Sequence, residues 1–223
     1  MYTLLAPAVA SAILGAQLVL SLALLKGEIC PGQRGRFHRA FWVPVFAWLI
    51  LVPFTFIASL PFLLLGIFAF RSKTGKTRHS GPIPLLHVAN LLGLVTWVVI
   101  LATHGGGMLM MGALQLVILG AGFGHSLLVR ARSRLQAFDR LLPLVSVLAF
   151  MGMMLSAAVL SVVSPPSTGD INAIMAGAGL GLLGVAAQIW HLLKQTSPVF
   201  WRVSVGFGFM LLANISLTRL VIA

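Results

Sequence analysis

Apolar stretches close to twenty residues long alternate with short polar connectors along the whole chain. About 20 apolar residues, rising 1.5 Å each, cross a hydrocarbon core about 30 Å thick. That ruler predicts spans near 3–25, 42–70, 84–103, 107–129, 141–164, 172–193 and 200–222. Backbone polar groups in lipid need internal partners, so the spans are expected to be helices rather than open strands. The expected fold is all-α, a polytopic transmembrane helical bundle forming a single integral membrane domain over 1–223.

Residues 42–70 are the least regular part of this pattern. They carry Pro44, Pro53 and Pro61. One long kinked helix makes seven spans; a re-entrant hairpin makes six spans plus the hairpin. The connectors "RSKTGKTRHSG", "RARSRLQAFDR" and "KQTSPVFWR" are basic, whereas "HGGG" and "SPPSTGDIN" carry no Lys or Arg. This alternation makes the basic face cytoplasmic. "KGEICPGQRGRFHRAF", with Lys26, Arg34, Arg36 and Arg39, falls outside if 42–70 is one span, and inside if it is a hairpin. Seven spans with a cytoplasmic N-terminus are the favoured reading. The first apolar run lacks the basic n-region of a secretory signal and is too long for its apolar core, so it reads as a retained helix.

Composition agrees with the pattern. The chain is 59% hydrophobic and 8% charged, against roughly 25% charged in a soluble domain, and its mean hydropathy is +1.05. The net charge of +12 comes from fifteen Lys and Arg against three acids. The basic residues lie almost entirely between apolar runs, where anionic lipid and membrane topology account for them, so a lipid bilayer is the expected partner and nucleic acid is not. A bacterial inner membrane is the expected location. Cys30 is the only cysteine, which excludes an internal disulfide and a C-x-x-C motif.

Missing residues narrow the chemistry further. Glu28, Asp139 and Asp170 are the only acids and all fall in connectors. That speaks against carboxylate-coupled ion transport, paired-carboxylate acid/base work and acid-held Mg²⁺. Lys26 and Lys194 sit at span ends, so no buried lysine is placed for a retinal Schiff base. Ser126 adjoins His125 but neighbours on a helix point about 100° apart, and no nucleophile elbow is present. "GAGFG" follows no strand and is no nucleotide loop. No catalytic residue is assigned.

Candidate binding residues remain. His87, His125 and His191 each fall near the cytoplasmic end of a span, within roughly 10 Å of one membrane face at about 1.5 Å per residue. Imidazoles brought together from separate helices ligate haem iron or metals when outer-shell hydrogen bonds hold them. Asn90 lies one turn from His87, and Gln188 one turn from His191. No acid is placed near them as the base of a zinc hydrolase, so bis-histidine haem b in electron transfer fits better than zinc. Helix-end capping or snorkelling is the simpler account of the same histidines.

His104 reads as a loop residue, and His38 and His79 as solvated residues of basic connectors. Gln17, Gln115 and Asn214 read as interhelical hydrogen-bonding residues or, with Gln188, as the lining of a path for a small solute. In the sixth predicted span Gly177, Gly181, Gly184, Gln188 and His191 share one face. Two rivals to haem stand: a passive channel or carrier, and a non-catalytic subunit or assembly factor whose basic loops dock an acidic partner.

Overall fold

The computed structural model describes residues 2–27, 29–72, 81–104, 106–132, 135–163 and 167–222. His79 and most of its connector lie outside the described residues, as does Glu28. The helices are α1 (Tyr2–Lys26), α2 (Pro31–Ala40), α3 (Trp42–Leu51), α4 (Ser59–Arg71), α5 (Ile83–Ala102), α6 (Gly106–Arg130), α7 (Gln136–Val163), α8 (Thr168–Leu193) and α9 (Phe200–Ile222). No strand occurs among the described residues. Among the described residues six helices, α1 and α5 to α9, are long and apolar enough to cross a membrane.

The stretch expected as a second span is broken in two. α3 has 10 residues and α4 has 13, each too short to cross a core about 30 Å thick at 1.5 Å per residue. They pack against each other and against α1 and α5. The prolines explain the break. Pro44 is the third residue of α3 and Pro61 the third of α4, within the first turn, where an N–H has no intrahelical acceptor to lose. Pro53 falls in the turn between the helices. The segment is therefore the hairpin alternative, and the seventh span is not formed.

This path resolves the misplaced charges. Arg36 Nε donates to the carbonyl of Ala131, just past α6, at 3.0 Å. The Arg130 guanidinium lies 6.0 Å from the Phe200 ring that opens α9, and Arg202 lies 5.8 Å from the Trp190 ring near the end of α8. His38 of α2 meets Phe68 near the end of α4, ring centroids 5.8 Å apart. The described basic residues at these helix ends thus gather on one face. His38 itself is fully buried on α2, a correction to the solvated position expected for it: α2 turns Arg36 and Arg39 outward and Gln33, Phe37 and His38 inward.

Association of helices in lipid rests on close packing and interhelical hydrogen bonds, because lipid is as apolar as the helices. α1 packs most extensively against α6, and α8 against α9. Gly15 and Gly120 let the α1 and α6 backbones touch; a Cβ on either would fall on the other's Cα. Beside that crossing, the Trp48 indole N–H donates to Gln17 Oε1 at 2.8 Å, and Gln17 Nε2 donates to Asn90 Oδ1 at 2.9 Å. Asn90 Nδ2 donates to Ser21 Oγ at 3.0 Å. The buried Trp97 indole N–H donates to Ser11 Oγ at 2.8 Å. α1, α3 and α5 are thereby tied by polar side chains that satisfy one another.

Candidate functional site

At the basic face α6, α7 and α8 bring together His125, Asp139 and His191. The imidazole centroids of His125 and His191 are 5.4 Å apart, tilted by 51°. His125 is fully buried, and its Nε2 lies 3.6 Å from Asp139 Oδ1. That is beyond hydrogen-bond length, a separation suited to an ion pair whenever the imidazole carries a proton. Neither His125 nitrogen has a hydrogen-bond partner among the described residues.

His191 is held by a device written into α7. Pro143 lies inside that helix. It has no N–H to give the carbonyl four residues back, which belongs to Asp139. His191 Nε2–H donates to that freed carbonyl at 3.0 Å. The bond puts the proton of a neutral ring on Nε2 and turns the lone pair of Nδ1 inward, where it meets no partner among the described residues. Asp139 lies in the first turn of α7, where the helix macrodipole favours a carboxylate.

A cavity of about 740 Å³ opens beside the cluster, between the start of α7 and the connection from α8 to α9. Gln136, Asp139, Arg140, His191, Gln195 and Thr196 are among its walls. Its volume lies in the range of small-ligand pockets, about 300–1,000 Å³. Asp139 and His191 face both this cavity and the buried His125.

Inward from the cavity runs a seam of buried polar groups on α6, α8 and α9. Gln188 is one turn from His191 and 1% exposed, and neither of its amide atoms has a partner among the described residues. It occupies room left by two glycines: a Cβ on Gly122 would fall 2.5 Å from its Nε2, and one on Gly206 3.0 Å from its Cγ. Farther along, Asn214 Nδ2 donates to the Met210 carbonyl at 2.8 Å, and Gln115 Nε2 to Thr218 Oγ1 at 2.8 Å. Among the described residues Asn214 Oδ1 and Gln115 Oε1 meet no hydrogen-bond partner. The face of Gly177, Gly181, Gly184, Gln188 and His191 is buried throughout, as its spacing required.

Other expected residues lie elsewhere. His87 is exposed on α5, which packs on α1, α4 and α6, so it does not join the other two histidines. Its neighbour Asn90 is engaged with Gln17 and Ser21. Gln17 has both amide atoms bonded within the α1, α3 and α5 network. His104 Nδ1 is 2.7 Å from the Ile100 carbonyl at the opposite end of α5. The expectation that no acid stands near the histidines is corrected by Asp139, which sequence reasoning left in a connector. Its signal was present: the one acid of a basic connector, four residues before an intrahelical proline. No group of three His, Cys, Asp or Glu among the described residues is arranged to hold a metal ion.

Six long apolar helices, a broken hairpin and a polar cluster at one end define a polytopic helical membrane protein. A family described as an integral membrane domain matches residues 3–168. The chain belongs to that family and is an integral membrane protein of the lipid bilayer. No curated protein and no solved structure matches it.

Proposed function

We propose that this membrane protein admits a small hydrogen-bonding solute from the cavity at its basic face into the seam between α6, α8 and α9. The observation that supports this reading is the run of buried polar atoms without a hydrogen-bond partner among the described residues: both nitrogens of His125, both amide atoms of Gln188, Asn214 Oδ1 and Gln115 Oε1. Each such atom costs about 1–3 kcal/mol when nothing meets it. Native structures keep few of them, so a seam of them is a place where water or solute supplies the missing bonds. In this reading His125, Asp139 and His191 guard the entrance, and Gln188, Asn214 and Gln115 line the way.

Stopped-flow light scattering on proteoliposomes tests it, with water, urea and glycerol as probes. The protein is expected to speed volume relaxation for at least one probe, and Gln188→Leu to abolish the gain. Rates equal to those of empty liposomes for all three overturn the reading.

A second reading, haem b or a metal held by His125 and His191 in a membrane redox subunit, draws on the 5.4 Å approach of the two rings. Iron between them has to take His191 through Nδ1, since Nε2 is bonded to the Asp139 carbonyl. A Soret band with sharp α and β bands in the dithionite-reduced protein supports it; a colourless, metal-free preparation removes it.

We place the basic face in the cytoplasm of a bacterial inner membrane on the charge rule. α1 ends on that face at Lys26, which carries its N-terminal end to the other side; a cytoplasmic N-terminus belonged to the seven-span path. Cys30, exposed between α1 and α2, is a native probe. A membrane-impermeant maleimide is expected to label it in inverted vesicles and not in intact spheroplasts, and the reverse result overturns the orientation.

A further inference from the structure

A second, smaller cavity lies on the same face between α2, α3 and α6, and its chemistry is different. It has a volume of about 260 Å³ and three of its walls are Arg36, Arg39 and Arg130. Val43 and Leu127 supply apolar lining to the same cavity. No carboxylate pairs with these three arginines among the described residues. The larger cavity, by contrast, has Asp139 in its wall, and a carboxylate there repels an anion. Three cations beside an apolar wall fit an amphiphile whose head is anionic and whose tail is hydrocarbon.

We propose that this cavity binds the phosphate of an anionic phospholipid, with its acyl chains running along Val43 and Leu127 toward the lipid side of α6. Size agrees with a head group rather than a whole ligand, because pockets that enclose a small molecule run from about 300 Å³ upward. Geometry removes one objection. The carboxyl end of a helix carries partial negative charge that disfavours an anion, and α6 ends here. Arg36 Nε covers that end by donating to the Ala131 carbonyl at 3.0 Å, and its two terminal nitrogens remain as donors. The guanidinium fork suits bidentate contact with phosphate oxygens. Arg39 and Arg130, both exposed, complete a ring of donors. General attraction of basic loops to an anionic leaflet needs no such enclosure, so a built pocket separates this site from the rest of the basic face. The inference stands apart from the solute path.

The test is lipid binding by the full chain in detergent, followed by native mass spectrometry, with phosphatidylglycerol, phosphatidylcholine and inorganic phosphate as separate probes. Arg39→Gln with Arg130→Gln leaves the Arg36 bond in place, and thermal unfolding confirms that the variant is folded. Phosphatidylglycerol is expected to bind in preference to phosphatidylcholine and to bind the double variant on the order of 10-fold or more weakly, each basic residue near an anionic surface carrying a comparable share. A control with Arg71→Gln and Arg202→Gln removes the same charge elsewhere on the face and is expected to leave binding within about 2-fold. Equal binding of the two lipids, an equal loss in both double variants, or tighter binding of inorganic phosphate than of phosphatidylglycerol overturns the assignment.

Discussion

Two sets of buried polar side chains run through this bundle, and they differ in whether they satisfy one another. Between α1, α3 and α5, Gln17 takes a hydrogen bond from Trp48 and gives one to Asn90, which in turn engages Ser21. Between α6, α8 and α9, Gln188 and His125 are just as buried and have no hydrogen-bond partner among the described residues. The first set holds helices together where apolar packing alone does not favour protein over lipid. The second weakens the bundle unless something else occupies it. Amino-acid type does not distinguish them, since glutamine is central to both; the partners do.

The largest expected effect is in the satisfied set. Gln17→Leu leaves the Trp48 indole N–H with no acceptor and removes a donor from Asn90, at an expected cost of about 3 kcal/mol. Thermal unfolding in detergent, followed by circular dichroism, is the measurement. A fall in Tm no larger than that of a surface substitution such as Leu182→Ala would remove the claim that this network is structural.

How far the two sets were legible in the sequence follows from the same distinction. Depth was legible: a ruler of apolar length put α5 at 84–103 where it runs Ile83–Ala102. It placed His125 and His191 at one level as well. The start of α7 was set at 141, five residues late, because Gln136–Arg140 continue the helix beyond the apolar run. The start of α8 was set at 172, and the capping box of Ser167 with Asp170 begins the helix at Thr168. Rotation was legible on α8, where the small-residue face of Gly177, Gly181 and Gly184 carries His191 inward. It was not legible on α5: a lipid-facing helix is apolar on every side, so nothing in its pattern turns His87 outward. The break in 42–70 was visible as three prolines, but which of them ended a helix depended on turn positions that only the folded path supplies.

A smaller effect of opposite sign is expected in the unsatisfied set. Gln188→Leu replaces two unpartnered amide atoms by an apolar side chain of similar size, which is expected to leave stability unchanged or raise it by about 1 kcal/mol. Flux through the seam is expected to vanish at the same time. Stability and flux measured on one preparation separate the outcomes. A destabilisation approaching that of Gln17→Leu would mean that Gln188 has structural partners, and the contrast between the two regions would collapse. His125→Phe extends the test, because it keeps ring volume beside His191 and deletes both unpartnered nitrogens; its expected change in stability is under about 1 kcal/mol.

The finest test lies where the two kinds of polar group meet, at the Asp139 carbonyl. Pro143 cannot donate to that carbonyl, and His191 does. His191→Phe in the native background leaves the carbonyl without a donor inside the protein, at an expected cost of about 1–2 kcal/mol. In a Pro143→Ala background the backbone N–H of residue 143 is restored four residues on and takes over the carbonyl. The same His191→Phe change is then expected to cost about 1 kcal/mol less, and that difference is the coupling energy of the pair. A double-mutant cycle on thermal or denaturant unfolding measures it. Zero coupling would mean that proline and histidine are independent features of α7 and α8. A coupling of the stated sign would establish that a helix interruption readable in the sequence positions the imidazole at the mouth of the larger cavity.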